Sequence, residues 1–243
     1  MMFHLTPFLI GLSCLLAAGQ AAAQTETGWY VGAGAGALFP KTQTVEGLDL
    51  RQALSPPLTD RVTYRTGWTA YVNAGTAISG GWRAELEISA RRADVSSAFG
   101  DPRIHIAVLC VATAPDCANL GPTGGHASSL SFLVNGLRDV PIGLSFVPHL
   151  GVGLGVANVH MTTVGQARGA ALGAPVLNGR STVFAYQLIA GISQPIGERL
   201  SLDVDYRYFD TAGQTFAPTQ FGRAQPRAGF GTHGVSAGLR LKF

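Results

Sequence analysis

Gly234-Val235-Ser236-Ala237-Gly238-Leu239-Arg240-Leu241-Lys242-Phe243 closes the chain. Val235, Ala237, Leu239, Leu241 and Phe243 share one parity; Gly234, Ser236, Gly238, Arg240 and Lys242 share the other. Successive side chains of a strand point to opposite faces, so this stretch specifies a strand with one oily and one polar side. Leu200, Leu202, Val204, Tyr206 and Tyr208 repeat the pattern against Ser201, Asp203, Asp205 and Arg207. Trp82, Ala84, Leu86, Ile88 and Ala90 do so against Arg83, Glu85, Glu87 and Ser89. Weaker alternation at 29–38, 67–79, 129–139, 145–161 and 182–194 brings the expected number of strands to eight.

The links between these strands alternate in length. Short turns of Gly, Pro and Ser fall at 79–81, 140–143 and 195–198, and long links at 39–65, 91–128, 162–181 and 210–231. Strict short–long alternation makes consecutive strands antiparallel and puts every long loop at one end. The expectation is an all-β protein: an eight-stranded antiparallel up-and-down transmembrane β-barrel with short periplasmic turns and four long external loops. A soluble sandwich also alternates oily and polar residues. Three features favour the barrel. The polar faces are rich in Gly, Ala and Ser, as a narrow lumen needs. Aromatics gather at strand ends, with Trp29, Trp82 and Phe243 at one end and Tyr64 and Trp68 at the other. The chain also finishes on a strand ending in Phe.

Composition narrows the classes. The chain has 243 residues, 47% of them hydrophobic and 13% charged, with 32 glycines. Mean hydropathy is +0.23. Such sparse charge is wrong for a disordered chain. The net charge of +3 comes with no basic run, so no nucleic acid is expected as a partner. Positive hydropathy suggests membrane helices, yet the one long apolar stretch, 8–23, is shorter than the ~20 residues a spanning helix needs. It ends in Ala21-Ala22-Ala23 and reads as a secretory signal peptide over 1–23, leaving a barrel over 24–243. Cys14 follows Gly11-Leu12-Ser13, a poor lipoprotein site.

The registers also sketch the lumen. Arg83, Glu85, Glu87, Asp203, Asp205, Arg207, Arg240 and Lys242 point inward, four of each sign. Enclosed charges must pair or meet water, so a salt-bridge network plugging a polar lumen is expected. Eight strands leave room for little else. His149 lies on the same face.

Gly28-Trp29-Tyr30-Val31-Gly32-Ala33-Gly34-Ala35-Gly36, Pro148 to Ala157, and above all the passage from Phe184 to Phe209 resemble a known group. The likeness is to the eight-stranded outer-membrane β-barrel family of opacity-type surface antigens, related in architecture to the OmpA transmembrane domain. It implies the outer membrane of a Gram-negative bacterium and insertion by the barrel-assembly machinery, with Phe243 as the C-terminal assembly signal. With the chain ending at Phe243, no periplasmic peptidoglycan-binding domain is expected.

Little in the sequence speaks for chemistry. Cys110 and Cys117, in the second long loop, are the two cysteines left after signal removal and are a disulfide candidate. Neighbouring His105 and Asp116 do not give a standard zinc spacing, so no metal is expected. A lipid A deacylase would need a lipid-facing His/Ser pair with a carboxylate. His126 with Ser128 or Ser129 is the candidate, with no acid partner identifiable. No catalytic residue and no cofactor is expected. What remains is the loops: Glu46, Asp49, Arg51, Asp60 and Arg61 around Pro56-Pro57 in the first, and Arg223 and Arg227 with Phe216, Phe221 and Phe230 in the fourth. The function expected is therefore a non-enzymatic surface protein serving membrane integrity, adhesion or host interaction. Outer-membrane lipid and lipopolysaccharide are its surroundings, and a host or extracellular ligand would be met through the loops. A small porin or solute channel and a lipid A-modifying enzyme are the alternatives.

Overall fold

Glycine sets the tight turns. Gly80 and Gly81 take φ of 75° and 80° between the second and third long strands, and Gly143 takes 76° in the next short turn. A side chain disfavours that left-handed backbone by about 1–2 kcal/mol. Nothing lies within 4 Å of a Cβ built on Gly143. Gly143→Ala should therefore lower stability by about 1 kcal/mol through backbone conformation alone, read by urea unfolding in lipid vesicles.

The computed structural model describes residues 27–48, 58–98, 124–165, 174–215 and 227–243. In chain order its strands are β1 (Gly28–Pro40), β2 (Gln43–Leu48), β3 (Leu58–Tyr64), β4 (Gly67–Ile78), β5 (Trp82–Ala98), β6 (Gly124–Asp139), β7 (Val147–Gly165), β8 (Ala174–Pro195), β9 (Leu200–Thr211), β10 (Gln214–Thr215), β11 (Arg227–Ala228) and β12 (Thr232–Lys242). Eight of these, β1, β4–β9 and β12, pair antiparallel with their neighbours, and β1 pairs with β12 from Tyr30↔Lys242 to Pro40↔Thr232. The sheet is a closed eight-stranded barrel with no open edge. No helix among the described residues is long and apolar enough to cross a membrane; the strands do that instead.

The outer surface decides between barrel and sandwich. Leu86, Val134 and Leu150 are 66%, 60% and 61% exposed, and every barrel strand shows the same oily outward parity. A water-soluble protein does not expose so continuous an apolar belt.

At the long-loop end the strands outrun the ranges read from periodicity. The link 39–65 contains β2 and β3, and the link 210–231 contains β10 and β11. β5 continues to Ala98, β6 starts at Gly124, β7 runs to Gly165 and β8 starts at Ala174. Beyond the barrel, β3 pairs with the end of β5, β2 with β3, and β11 with β2. The reason is a change of surroundings. Within the belt even-numbered residues of β5–β8 are apolar and face out. Above it the buried apolar residues are odd-numbered and face in: Ala93, Val95, Ala127, Val159 and Met161. Their even neighbours turn polar.

Candidate functional site

The polar parity of β5, β9 and β12 lines the interior, and cross-strand partners complete it. Arg207 on β9 is the hub. Its Nη1 donates to Glu87 Oε2 at 2.7 Å and its Nη2 to Asp205 Oδ2 at 2.9 Å, while the guanidinium lies 3.8 Å from the Tyr71 ring centroid. Asn135 and Gln187 also donate to Glu87 Oε2, at 3.0 and 3.1 Å. Nearer the short turns, Arg83 donates to Asp139 at 3.0 Å and Glu85 at 3.2 Å, and Tyr30 and Asn73 also donate to Glu85. Arg240 donates to Asp203 and to Ser193. Lys242 is half-buried at the end of β12 and joins none of the salt bridges among the described residues.

Three ionisable partners were missed: Arg91, Asp139 and the pairing of His149. Arg91 shares parity with Arg83, but periodicity ends that strand at Ala90. Its guanidinium is buried, donates to Ser89, Ser131 and Gln187, and sits 3.8 Å over the Phe209 ring. Glycine makes room for these groups. A Cβ on Gly34 would lie 2.6 Å from the Tyr71 ring and 2.7 Å from the Ala237 carbonyl oxygen.

The interior is not polar throughout, as the sequence reading had it. Above Arg91 an apolar cluster fills the long-loop end. Val159, Met161, Phe209 and Leu38 come from the barrel, Val62 from β3, and Ala228 and Phe230 from β11 and its sequel. Tyr64 packs against this cluster and donates to Gln43, so it is not an interfacial aromatic. Phe230, placed by the sequence in the fourth external loop, is fully buried there. Two voids within the charge network hold about 10 Å³ each, room for one water.

Ser193, His149 and Asp205 stand in the order of a hydrolase triad. His149 Nε2 is 2.9 Å from Asp205 Oδ1, and its Nδ1 is 3.3 Å from Ser193 Oγ. The hydroxyl, however, donates its one proton to Asp203 at 2.6 Å and accepts from Arg240. The adjoining void is too small for a substrate. The three side chains are part of the buried hydrogen-bond network of the interior.

Outside, the long-loop rim has two unlike halves. On β8, β9 and β12 it carries Tyr186, Tyr206, Tyr208 and His233 in ring contact, with Lys41 against Tyr208 and Asp210. On β5–β8 the outward face is polar. Arg92, Ser128, His160 and Arg180 form one row, each directly opposite the next, with Trp68 opposite Arg92. Asp94, His126, Thr162 and Asn178 form the row beyond it. His126 and His160 meet edge to face at 5.6 Å. Burial, then the Arg92 and His160 charges, hold the His126 imidazole below its ordinary pKa, with Asp94 pulling the other way. From Trp82 to Arg92 the strand rises about 34 Å, or about 26 Å along the axis at usual barrel tilts, so these rows begin where the ~25 Å belt ends.

Of the His/Ser candidates, Ser129 points inward and is buried. His126 and Ser128 share the outward face, and Asp94 is the carboxylate opposite His126. The ring contact of His126 is with His160. No cluster of three metal-ligating side chains occurs among the described residues. Phe243 is 71% exposed at the short-turn rim, its N–H donating to the Trp29 carbonyl. Cys110 and Cys117, residues 1–23, Asp49, Arg51, Pro56, Pro57, Phe216, Phe221 and Arg223 lie outside the described residues. For Glu46, Asp60 and Arg227 the backbone alone is described: it pairs in β2, β3 and β11.

Residues 8–243 match the family model described as outer membrane protein beta-barrel domain. Among solved structures, the outer membrane protein OprG from Pseudomonas aeruginosa gives a TM-score of 0.55 at 11% identity, covering 90% of this chain and 97% of that one. The outer membrane protease OmpT from Escherichia coli gives 0.51 at 7% identity, covering 90% and 98%. Neisserial surface protein A gives 0.48 at 16% identity, covering 88% and 97%. Identities this low speak for the fold alone. No curated protein matches the chain.

Proposed function

The chain belongs to the outer membrane protein beta-barrel family and spans the Gram-negative outer membrane, and from this premise we propose that it is a non-conducting, non-enzymatic surface barrel. One observation carries the reading: among the described residues, side chains occupy the interior at each level from the short turns to the long-loop end. Arg83, Glu85, Arg207, Glu87 and Arg91 with their partners fill the periplasmic and middle levels, and the Val159–Met161–Phe209–Phe230 cluster fills the extracellular level. Voids of about 10 Å³ hold one water, whereas ion conduction needs a continuous water column.

The work of the protein then falls to what it presents outward, namely the extracellular segments and the rim above the apolar belt. This supports a role in membrane integrity or surface contact over solute passage. Neither the buried Ser193–His149–Asp205 group, with its committed hydroxyl, nor the His126 row offers an assembled nucleophile. Purified protein in planar bilayers is expected to give no discrete unit conductance. Reproducible steps of one size from heat-modifiable, folded protein would overturn the reading.

A further inference from the structure

We propose that the outward face of β5–β8 is a binding site for a phosphorylated glycolipid of the outer leaflet, with the phosphate on the Arg92–Ser128–His160–Arg180 row and an acyl chain in the groove beneath it. The inference rests on the barrel's place in the outer membrane and is independent of whether the lumen conducts.

Two observations meet here. The first is charge. The two polar rows hold two arginines, Arg92 and Arg180, against one carboxylate, Asp94, on the surface that leaves the bilayer, and His126 and His160 add ring nitrogens as hydrogen-bonding groups. Arg92 and Arg180 are exposed, and Arg92 reaches Asp94 only loosely, at 3.7 Å. Ser128 stands between Arg92 and His160 in the row and adds a hydroxyl donor. A guanidinium binds phosphate oxygens strongly because the hydrogen bonds are charge-assisted and the planar fork can be bidentate. At the edge of a low-dielectric layer these bonds are screened less than in bulk water.

The second observation is the groove. A cleft of about 430 Å³ runs down the outer surface of β4–β6, walled by Val72, Ala74, Leu86, Ile88, Phe132 and Val134. Ile88 lies on the same strand and face as Arg92, and Phe132 on the same strand and face as Ser128, each four residues lower. That places the groove about 14 Å from the cationic row along the strands, or about 10 Å below it along the axis at the same tilt. A headgroup phosphate on the row therefore leads its chain directly into an apolar slot. Free phosphate would use only the upper half of this site. The tyrosine half of the rim, with Lys41 engaged by Tyr208 and Asp210, offers no matching row of exposed cations among the described residues.

The test uses the full barrel in detergent micelles, offered diphosphorylated lipid A or the same lipid with its phosphates removed, with retention read by native mass spectrometry. Wild type is expected to prefer the phosphorylated form about tenfold, the value of one or two charge-assisted hydrogen bonds. Arg92→Gln with Arg180→Gln should abolish that preference, and Lys41→Gln, on the far side of the rim, should keep it. All three are surface changes, and heat-dependent gel mobility verifies folding; should the double variant not fold, Arg180→Gln alone is compared. Equal retention of the two lipids by wild type would overturn the proposal. So would an unchanged preference in the arginine variants, or its loss in Lys41→Gln. Displacement of the lipid by millimolar inorganic phosphate would mark a free-anion site and overturn the lipid assignment; persistence of the lipid supports it.

Discussion

Replacing Arg207 with leucine is expected to cost the folded barrel about 3–5 kcal/mol, the usual effect of stripping the counter-ion from buried charges. The side chain bridges Glu87 at 2.7 Å and Asp205 at 2.9 Å, and both carboxylates are almost fully enclosed. Leucine would leave two carboxylates facing one another across the lumen, with Asn135, Gln187 and His149 as their remaining donors. It would also remove the guanidinium from the Tyr71 face. Urea unfolding in lipid vesicles, followed by heat-dependent gel mobility, measures the loss. Combining Arg207→Leu with Glu87→Gln and Asp205→Asn should recover part of it, because the stranded charges then disappear. A loss below about 1 kcal/mol in the single variant would mean that the interior is hydrated, since water would then replace the arginine.

Leu239→Arg is expected to cost about 2–4 kcal/mol by placing a charge on the lipid face near the middle of the belt. Leu239 is half exposed, faces outward, and pairs with Ala33 and Leu202 in the apolar surface. The next residue, Arg240, already carries the same side chain inward, where Asp203 and Ser193 receive it. One step along the strand thus separates a satisfied arginine from an expensive one. The cost should fade with depth. Asn178→Arg, on the exposed outward face above the belt, should change stability by about 0–1 kcal/mol. Equal costs at the two positions would contradict the height assigned to the belt.

Much of the candidate site was readable from parity alone. Seven of the eight inward charges named from the sequence enter the ion-pair network, while Lys242 stays at the rim. The partners on other strands were not readable, because which residues meet depends on the stagger between strands. Glu87 accepts from Arg207 on a strand 120 residues away, and Arg83 donates to Asp139 on one 56 away. Tyr64 and Phe230 were misplaced for a related reason. An aromatic in a loop reads as exposed until the chain is seen to fold back over the barrel mouth, where Val62, Ala228 and Phe209 bury it.

The sequence by itself determined the strands within the bilayer and the face each one gives to lipid. There the solvent on one side is hydrocarbon, so every second residue must be apolar, and no neighbour is needed to see it. It could not determine how far the strands continue. Above the belt the outer face meets water and the inner face meets a dry cluster, so the alternation persists with its phase reversed. Val156 faces out and Val159 faces in, and Asn158 and His160 take the outward places between polar surroundings. Read along the chain, that phase slip looks like the end of a strand. Only the closed sheet, with Ser128 set between Arg92 and His160, shows the strand going on and turns scattered polar residues into a surface.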